Sequence, residues 1–186
     1  MNTFARIDVE TFFRFAAEHP EQRYELERGL IVQQMTGGTF NHGRVARRIS
    51  QLIEGQINSA RWCVLQDRGV AVGRSARYPD VVVEPAGAAG DSLATKQPAI
   101  IVEVLSPSTT ATDVDTKRGE YLAIQTLDAY LVASQDEPAM LVWTRNAKGK
   151  FAKAGRVIRG ADKTIVINGR DLALKLKLAD VYKEIA

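Results

Sequence analysis

Apolar residues first recur at helical spacing near the N-terminus, where Val9, Phe12, Phe13 and Ala16 fall on one stripe. Asp8 can cap that stripe and Pro20 stops it, which predicts a helix over 8–19. The pattern then changes. Residues 23–35 read as a hairpin, Y-E-L-E and L-I-V-Q-Q-M about a turn at Arg28-Gly29, and Gly37-Gly38 breaks the chain. A second helix is predicted over 41–57, with Val45, Ile49, Leu52, Ile53 and Gln56 inward. Arg44, Arg47, Arg48 and Gln51 fall largely on its other side. Short strands at 62–66 and 69–73 lead to P-D-V-V-V-E at 79–84, an acid at each end of a β-branched run.

After a Gly- and Ala-rich loop at 86–91 comes P-A-I-I-V-E-V-L-S-P (98–107), a nearly unbroken apolar run between two prolines. Residues 108–112 offer N-caps for a helix over 113–125. Strands at 128–134 and 139–144 follow, joined by turn residues 135–138. From Asn146 the chain is basic and alternating, F-A-K-A-G-R-V-I-R and K-T-I-V-I-N, closing with A-L-K-L-K-L-A-D-V-Y. The elements predict an α/β (α+β) chain, a central mixed sheet flanked by helices, in a single domain of residues 1–186. Its core spans about 20–145, with the N-terminal helix 8–19 before it and a basic β-rich C-terminal extension, 146–186, after it.

Composition narrows the class. At 186 residues, 45% hydrophobic and 25% charged, the chain can bury a real core. Its apolar runs fall short of the ~18 residues that a membrane span needs. The opening M-N-T-F-A-R-I-D lacks the apolar core of a signal peptide, so a cytoplasmic protein with no membrane partner is expected. The single cysteine, Cys63, cannot form an internal disulfide and is expected as a buried structural thiol. Net charge is +3 but uneven: residues 28–79 carry eight Arg against two acids, whereas 80–142 carry ten acids against three bases. An acidic centre between basic flanks suits a cation site with phosphate-binding surroundings, although an ordinary mixed surface would give the same counts.

Glu103, inside the 98–107 run, must be neutralised, paired or metal-bound, because a lone buried carboxylate costs several kcal/mol. On that strand Ile101, Glu103 and Leu105 share one face; on the preceding one Asp80, Val82 and Glu84 do. If the strands pair near Asp80, its carboxylate and that of Glu103 converge on one ion. Mg²⁺, or Mn²⁺, takes such hard oxygens and keeps several waters. Glu84 stands roughly 13 Å further along the strand, too far to share that ion. In the next helix Val114, Lys117, Tyr121 and Ile124 form one inward stripe on which Lys117 is the cation. It can stabilise charge on a phosphoryl group, or run its stem along the core to solvent. His42 reads as a capping or packing residue. Ser106 lacks a G-x-S-x-G elbow, and the sequence contains no P-loop, GxGxxG or zinc-ligand spacing.

The run Y-E-L-E-R-G-L-I-V-Q-Q-M (24–35), His42, P-D-V-V-V (79–83), P-A-I-I-V-E-V-L-S-P-S-T (98–109) and Lys117 with Tyr121 resemble the Uma-two family of putative restriction endonucleases, in the PD-(D/E)XK nuclease superfamily. The likeness covers roughly residues 20–145. It implies a restriction-endonuclease-like core acting on DNA as a Mg²⁺- or Mn²⁺-dependent hydrolase, with a homodimer among its expected assemblies. Asp80 and Glu103 would hold the ion, with the main-chain carbonyl of Val104 as a further ligand. Glu25 matches a family acid, a ligand or base, with an ion pair to an arginine as the alternative. The superfamily lysine stands two residues after the glutamate; here that position is Leu105, and Lys117 on the following helix would replace it. Leu30 and Leu131 stand where the family tends to carry an acid and a Trp. Arg44, Arg47 and Arg48 are candidate DNA phosphate contacts. The competing reading is an inactive nuclease fold that binds DNA or a protein partner.

Overall fold

The computed structural model describes residues 6–34, 38–106 and 111–185. The predicted cap positions 108–110, the break at Gly37 and residues 1–5 lie outside them. Helix α1 (Val9–Glu18) starts at Asp8, whose carboxylate accepts the Thr11 N–H at 2.7 Å, and lays the buried Phe12 on the first hairpin. That hairpin is β1 (Arg23–Glu27) and β2 (Leu30–Gln34). Its two turn residues, Arg28 and Gly29, have φ of 50° and 89°, the sign that a two-residue primed turn needs. A side chain at Gly29 would also crowd the Arg6 Cβ at 3.0 Å, so space as well as φ favours glycine there.

Helix α2 (Phe40–Glu54) begins at Thr39, whose hydroxyl accepts the His42 N–H at 3.1 Å. Val45, Ala46, Ile49 and Ile53 are its buried face, as the spacing predicts. Strands β3 (Trp62–Leu65) and β4 (Gly69–Val72) match expectation, and β5 (Ser75–Arg77) is an extra strand before β6 (Val81–Pro85). The two-residue β7 (Ala94–Thr95) precedes β8 (Ile100–Val104), which α3 (Ala111–Leu122) connects to β9 (Ala129–Ala133). Then come β10 (Ala139–Thr144), β11 (Arg156–Arg159), β12 (Thr164–Asn168), β13 (Ala173–Lys177) and a one-turn α4 (Leu178–Val181) where strand character was expected to continue.

The larger sheet runs β11-β10-β9-β8-β6-β3 and is mixed, because the crossover through α3 makes β8 and β9 parallel. Its alternating residues feed two cores. Val81, Val83, Ile100, Val102 and Leu131 face α2, the β12–β13 hairpin and α4. Val82, Ile101, Tyr130 and Val132 face α3 and Val70 of the second sheet, ordered β2-β1-β5-β4-β7. Each fully buried aliphatic contributes about 1.5–3 kcal/mol. Gln56, expected inward, is instead exposed and clasps the hairpin edge: its amide exchanges hydrogen bonds of 3.0 and 2.9 Å with the Lys175 main chain. Cys63, expected as buried, is half-buried on the edge strand β3. No helix among the described residues is long and apolar enough to cross a membrane.

Candidate active site

The pairing of β6 with β8 aligns Val81 with Val102, so one step further along the register Asp80 stands opposite Glu103. Asp80 Oδ2 accepts the Val104 N–H at 2.7 Å, which ties the acid to the end of the strand that carries Glu103. Because side chains alternate, Glu103 lies on the α3 side of the sheet, next to Ile101. There Lys117 and Tyr121, one helical turn apart, both reach it. Lys117 Nζ is 3.3 Å from Glu103 Oε1, and the Tyr121 hydroxyl donates to the same oxygen at 3.0 Å. Lys117 also lies 3.1 Å from Oε1 of Glu25 on β1. The expected ion pair at Glu25 exists as well: Arg77 on β5 meets its Oε2 at 3.0 Å.

Burial and charge act on this group together. Burial pushes the Glu103 carboxyl up to about 7, against the pull of Lys117; the Asp80 and Glu25 charges add to the rise and the Tyr121 hydrogen bond opposes it. Burial alone would lower the Lys117 ammonium, but the Glu103 and Glu25 carboxylates outweigh it and raise it. Lys117 is therefore a fixed cation. Its side chain is 19% exposed, and that of Glu103 15%, so both meet a cleft rather than the deep core.

His42 was expected to cap or pack. Its backbone N–H does meet the cap residue, but its ring reaches across to the acids. Nε2 lies 3.4 Å from Asp80 Oδ1, and the hydrogen bond to Asp80, against the effect of burial, raises the imidazole above its ordinary range. The Val104 main chain also bonds the ring. Sequence reasoning saw the position but not the reach, because a residue two places into a helix carries no signal of what lies across from it.

A cleft of about 690 Å³ opens over these groups, with Arg23, Gln33, Arg47 and Gln66 among its lining. Of the three arginines singled out on α2, Arg47 lines this cleft. Arg44 pairs with Glu184 at 2.8 Å and stacks over Phe40, and Arg48 also acts on Glu184. Glu84 is away from the site, paired with Arg68 at 3.1 Å. A larger cavity of about 970 Å³ lies between α1, β4 and the end of α3, among Phe13, Val72, Leu93 and Ile124. Its charged lining residues are Glu10, Arg14 and Lys96, and the first two pair with each other at 3.8 Å, whereas the smaller cleft gathers Asp80, Glu103 and Lys117.

A sequence model of the Uma2 family, described as "Putative restriction endonuclease", matches residues 9–165. The chain belongs to the Uma-two family. Two similar proteins give context. An uncharacterized protein, sll1609, of Synechocystis sp. (strain ATCC 27184 / PCC 6803 / Kazusa) is 30% identical over 124 residues, covering 63% of this chain and 70% of that one. A crystal structure described as a putative nuclease belonging to DUF820, from Anabaena variabilis ATCC 29413, superposes with a TM-score of 0.68 at 15% identity. It covers 89% of this chain and 93% of its own. The restriction-endonuclease-like, mixed α+β fold expected from the sequence is the fold found.

Among the described residues, no group of three or more His, Cys, Asp and Glu side chains is arranged to hold a metal ion. The acids come as a pair. Two carboxylates at opposed positions of neighbouring strands, Asp80 and Glu103, are the kind of hard oxygen donors that a partly hydrated divalent cation of the Mg²⁺ type takes. The mutual repulsion that helps raise Glu103 is what such a cation would relieve. Asp80 and Glu103, with the Val104 carbonyl expected from the sequence, are the residues that could hold such an ion.

Proposed function

We propose that this Uma-two protein is a metal-dependent endonuclease that hydrolyses DNA phosphodiester bonds in the cytoplasm. The observation that supports it most is the meeting of Asp80, Glu103 and Lys117 in one open cleft, from two strands and a helix. Asp80 and Glu103, with the Val104 carbonyl, would hold Mg²⁺ or Mn²⁺, which when bound polarises the phosphate and acidifies a water. Lys117, permanently charged, sits where it can stabilise the oxygen that gains negative charge as the scissile bond breaks. Glu25 keeps that ammonium aimed rather than acting as a ligand, since its own oxygens are shared between Lys117, Arg77 and the Tyr78 N–H. Arg47, exposed at the cleft, serves the phosphate backbone; Arg44 is paired with Glu184 instead, and Arg48 does not line the cleft.

Calorimetry with Mn²⁺ and nicking of supercoiled plasmid at low salt test the proposal together. Wild type should bind the ion and nick DNA, and Asp80→Ala should lose both, the rate by ~10³-fold or more. Metal binding without nicking by wild type would leave a nuclease fold that serves as a binding module. Undiminished Mn²⁺ affinity in Asp80→Ala would remove the metal site from these residues.

A further inference from the structure

Behind Glu25 and Lys117 lies a second set of charges that the hydrolytic reading does not use. Antiparallel pairing of Leu26 with Ala76 puts Glu25 directly opposite Arg77. The Arg77 side chain is 3% exposed and spends its guanidinium on three carboxylates. Its Nη1 holds Glu25 at 3.0 Å, and its Nη2 reaches Glu27 at 3.3 Å. Nε and Nη2 grip both oxygens of Glu120 at 2.8 and 3.2 Å, the two-pronged geometry that only a guanidinium supplies. Ser75 donates to Glu120 at 2.7 Å and accepts the Arg28 N–H at 2.9 Å, so the hairpin turn is tied into the same knot.

Glu120 stands on α3 three residues after Lys117, and on a helix that spacing makes them neighbours. Arg77 therefore grips Lys117 from two sides. Through Glu25 it fixes the carboxylate that pulls the ammonium, and through Glu120 it fixes the helix that carries it. We infer that Arg77 is a positioning residue: with Glu25 and Glu120 it forms a buried clamp that holds the Lys117 ammonium beside Glu103. The inference rests on the nuclease reading for its consequence in rate, but its geometry stands apart from it. A clamp of this kind suits a lysine displaced from the strand to a helix, because a helix can slide against the sheet where a strand residue cannot.

Arg77→Lys keeps the charge and loses the fork; Glu120→Gln keeps the shape and loses the charge. Each should lower kcat for Mn²⁺-dependent nicking by ~10-fold or more, with KM and calorimetric Mn²⁺ affinity within ~2-fold of wild type. Neither should cost anything further in a Lys117→Ala background, whereas a merely structural loss would add. Additive losses, or unchanged kcat in both variants, overturn the clamp. A second readout needs no activity: timed acetylation of the intact protein, read by peptide mass spectrometry. Acetylation of Lys117 should rise ~5-fold or more in both variants relative to wild type, with Lys148 as the unaffected internal reference. If wild type does not nick DNA the hydrolytic reading fails, and the acetylation alone decides; equal labelling of Lys117 in wild type and both variants overturns the clamp.

Discussion

The two faces of strand β8 alternate within five residues yet serve opposite ends. Towards α2 and the C-terminal hairpin, Ile100, Val102 and Val104 join a core of aliphatic side chains. Towards α3, Ile101 and Leu105 flank Glu103, and the neighbours are Tyr121, Tyr130, Trp143 and the Lys117 ammonium. The first face is bound by shape and the hydrophobic effect, and its residues are exchangeable within volume. The second keeps a carboxylate poised by burial and three surrounding charges, a state that costs stability and makes sense where chemistry needs it. One strand thus separates what holds the molecule together from what we propose it does.

The sharpest way to break this comparison is a matched pair of substitutions. Lys117→Ala should cut Mn²⁺-dependent nicking by ~100-fold or more while leaving metal binding largely intact, and Leu105→Lys in that background should restore part of the rate. Leu105 shares the Glu103 face, so an ammonium there approaches the same phosphate. Ile100→Ala, on the other face, should cost about 2–5 kcal/mol in urea unfolding and leave nicking per folded molecule close to wild type. A strong loss of rate in Ile100→Ala at full folding, or equal nicking by Lys117→Ala and wild type, would erase the division between the faces.

A middle-sized effect should appear in the pH dependence of stability without divalent ions. The Glu103 carboxyl is raised from 4.5 to about 7 in the folded chain, so folding favours its protonated form. Its contribution is fully present below about 4.5 and is lost as pH climbs through about 7. On the order of 3 kcal/mol should disappear across that window. His42, also raised, loses its smaller share in the same direction. Glu103→Gln should flatten most of the slope, and saturating Mn²⁺ should flatten it too by favouring the ionised carboxylate. A metal-free profile that is level from pH 5 to 7.5 would mean that Glu103 is not held in the way its surroundings indicate.

Much of this was legible before any coordinates. Period-two alternation put Glu103 on one face of its strand and Asp80 on one face of the other, and helical spacing put Lys117 and Tyr121 on one inward stripe; whether those faces meet depended on how the strands pair. Those are local rules acting within single elements. Arg77 was not legible, because Ser75-Ala76-Arg77 is too short to carry a period and its three carboxylate partners come from β1 and α3. The two-residue β7 and the one-turn α4 escaped for the same reason. His42 was visible as a helix-start residue, and its ring contact with Asp80 depends on how α2 docks against the end of β6. The C-terminal strands read as a basic extension, yet Ile165, Ile167, Leu174 and Leu176 sit in the core beneath α2. Their alternation showed which residues turn inward, and only packing showed against what.

The smallest expected effect concerns the rim, where the comparison between bound and available charge recurs on α2. Three arginines there looked equivalent from spacing. Arg44 is committed to Glu184 and the Phe40 ring, and Arg48 is half-buried and absent from the cleft lining, whereas Arg47 is exposed and lines the cleft above Asp80 and Glu103. An arginine already paired has less to offer a phosphate, because the new contact must first replace the old one. Arg47→Ala should therefore weaken binding of a short duplex by ~3- to 10-fold at low salt. It should also reduce the magnitude of the slope of log affinity against log salt by about one, the signature of one lost phosphate contact. Arg44→Ala and Arg48→Ala should leave that slope within error of wild type. Fluorescence anisotropy with Ca²⁺ in place of Mn²⁺, to hold back cleavage, reads both quantities. Equal slopes lost at all three positions would mean that DNA lies along the whole outer face of α2, and the cleft would no longer mark the path of the duplex.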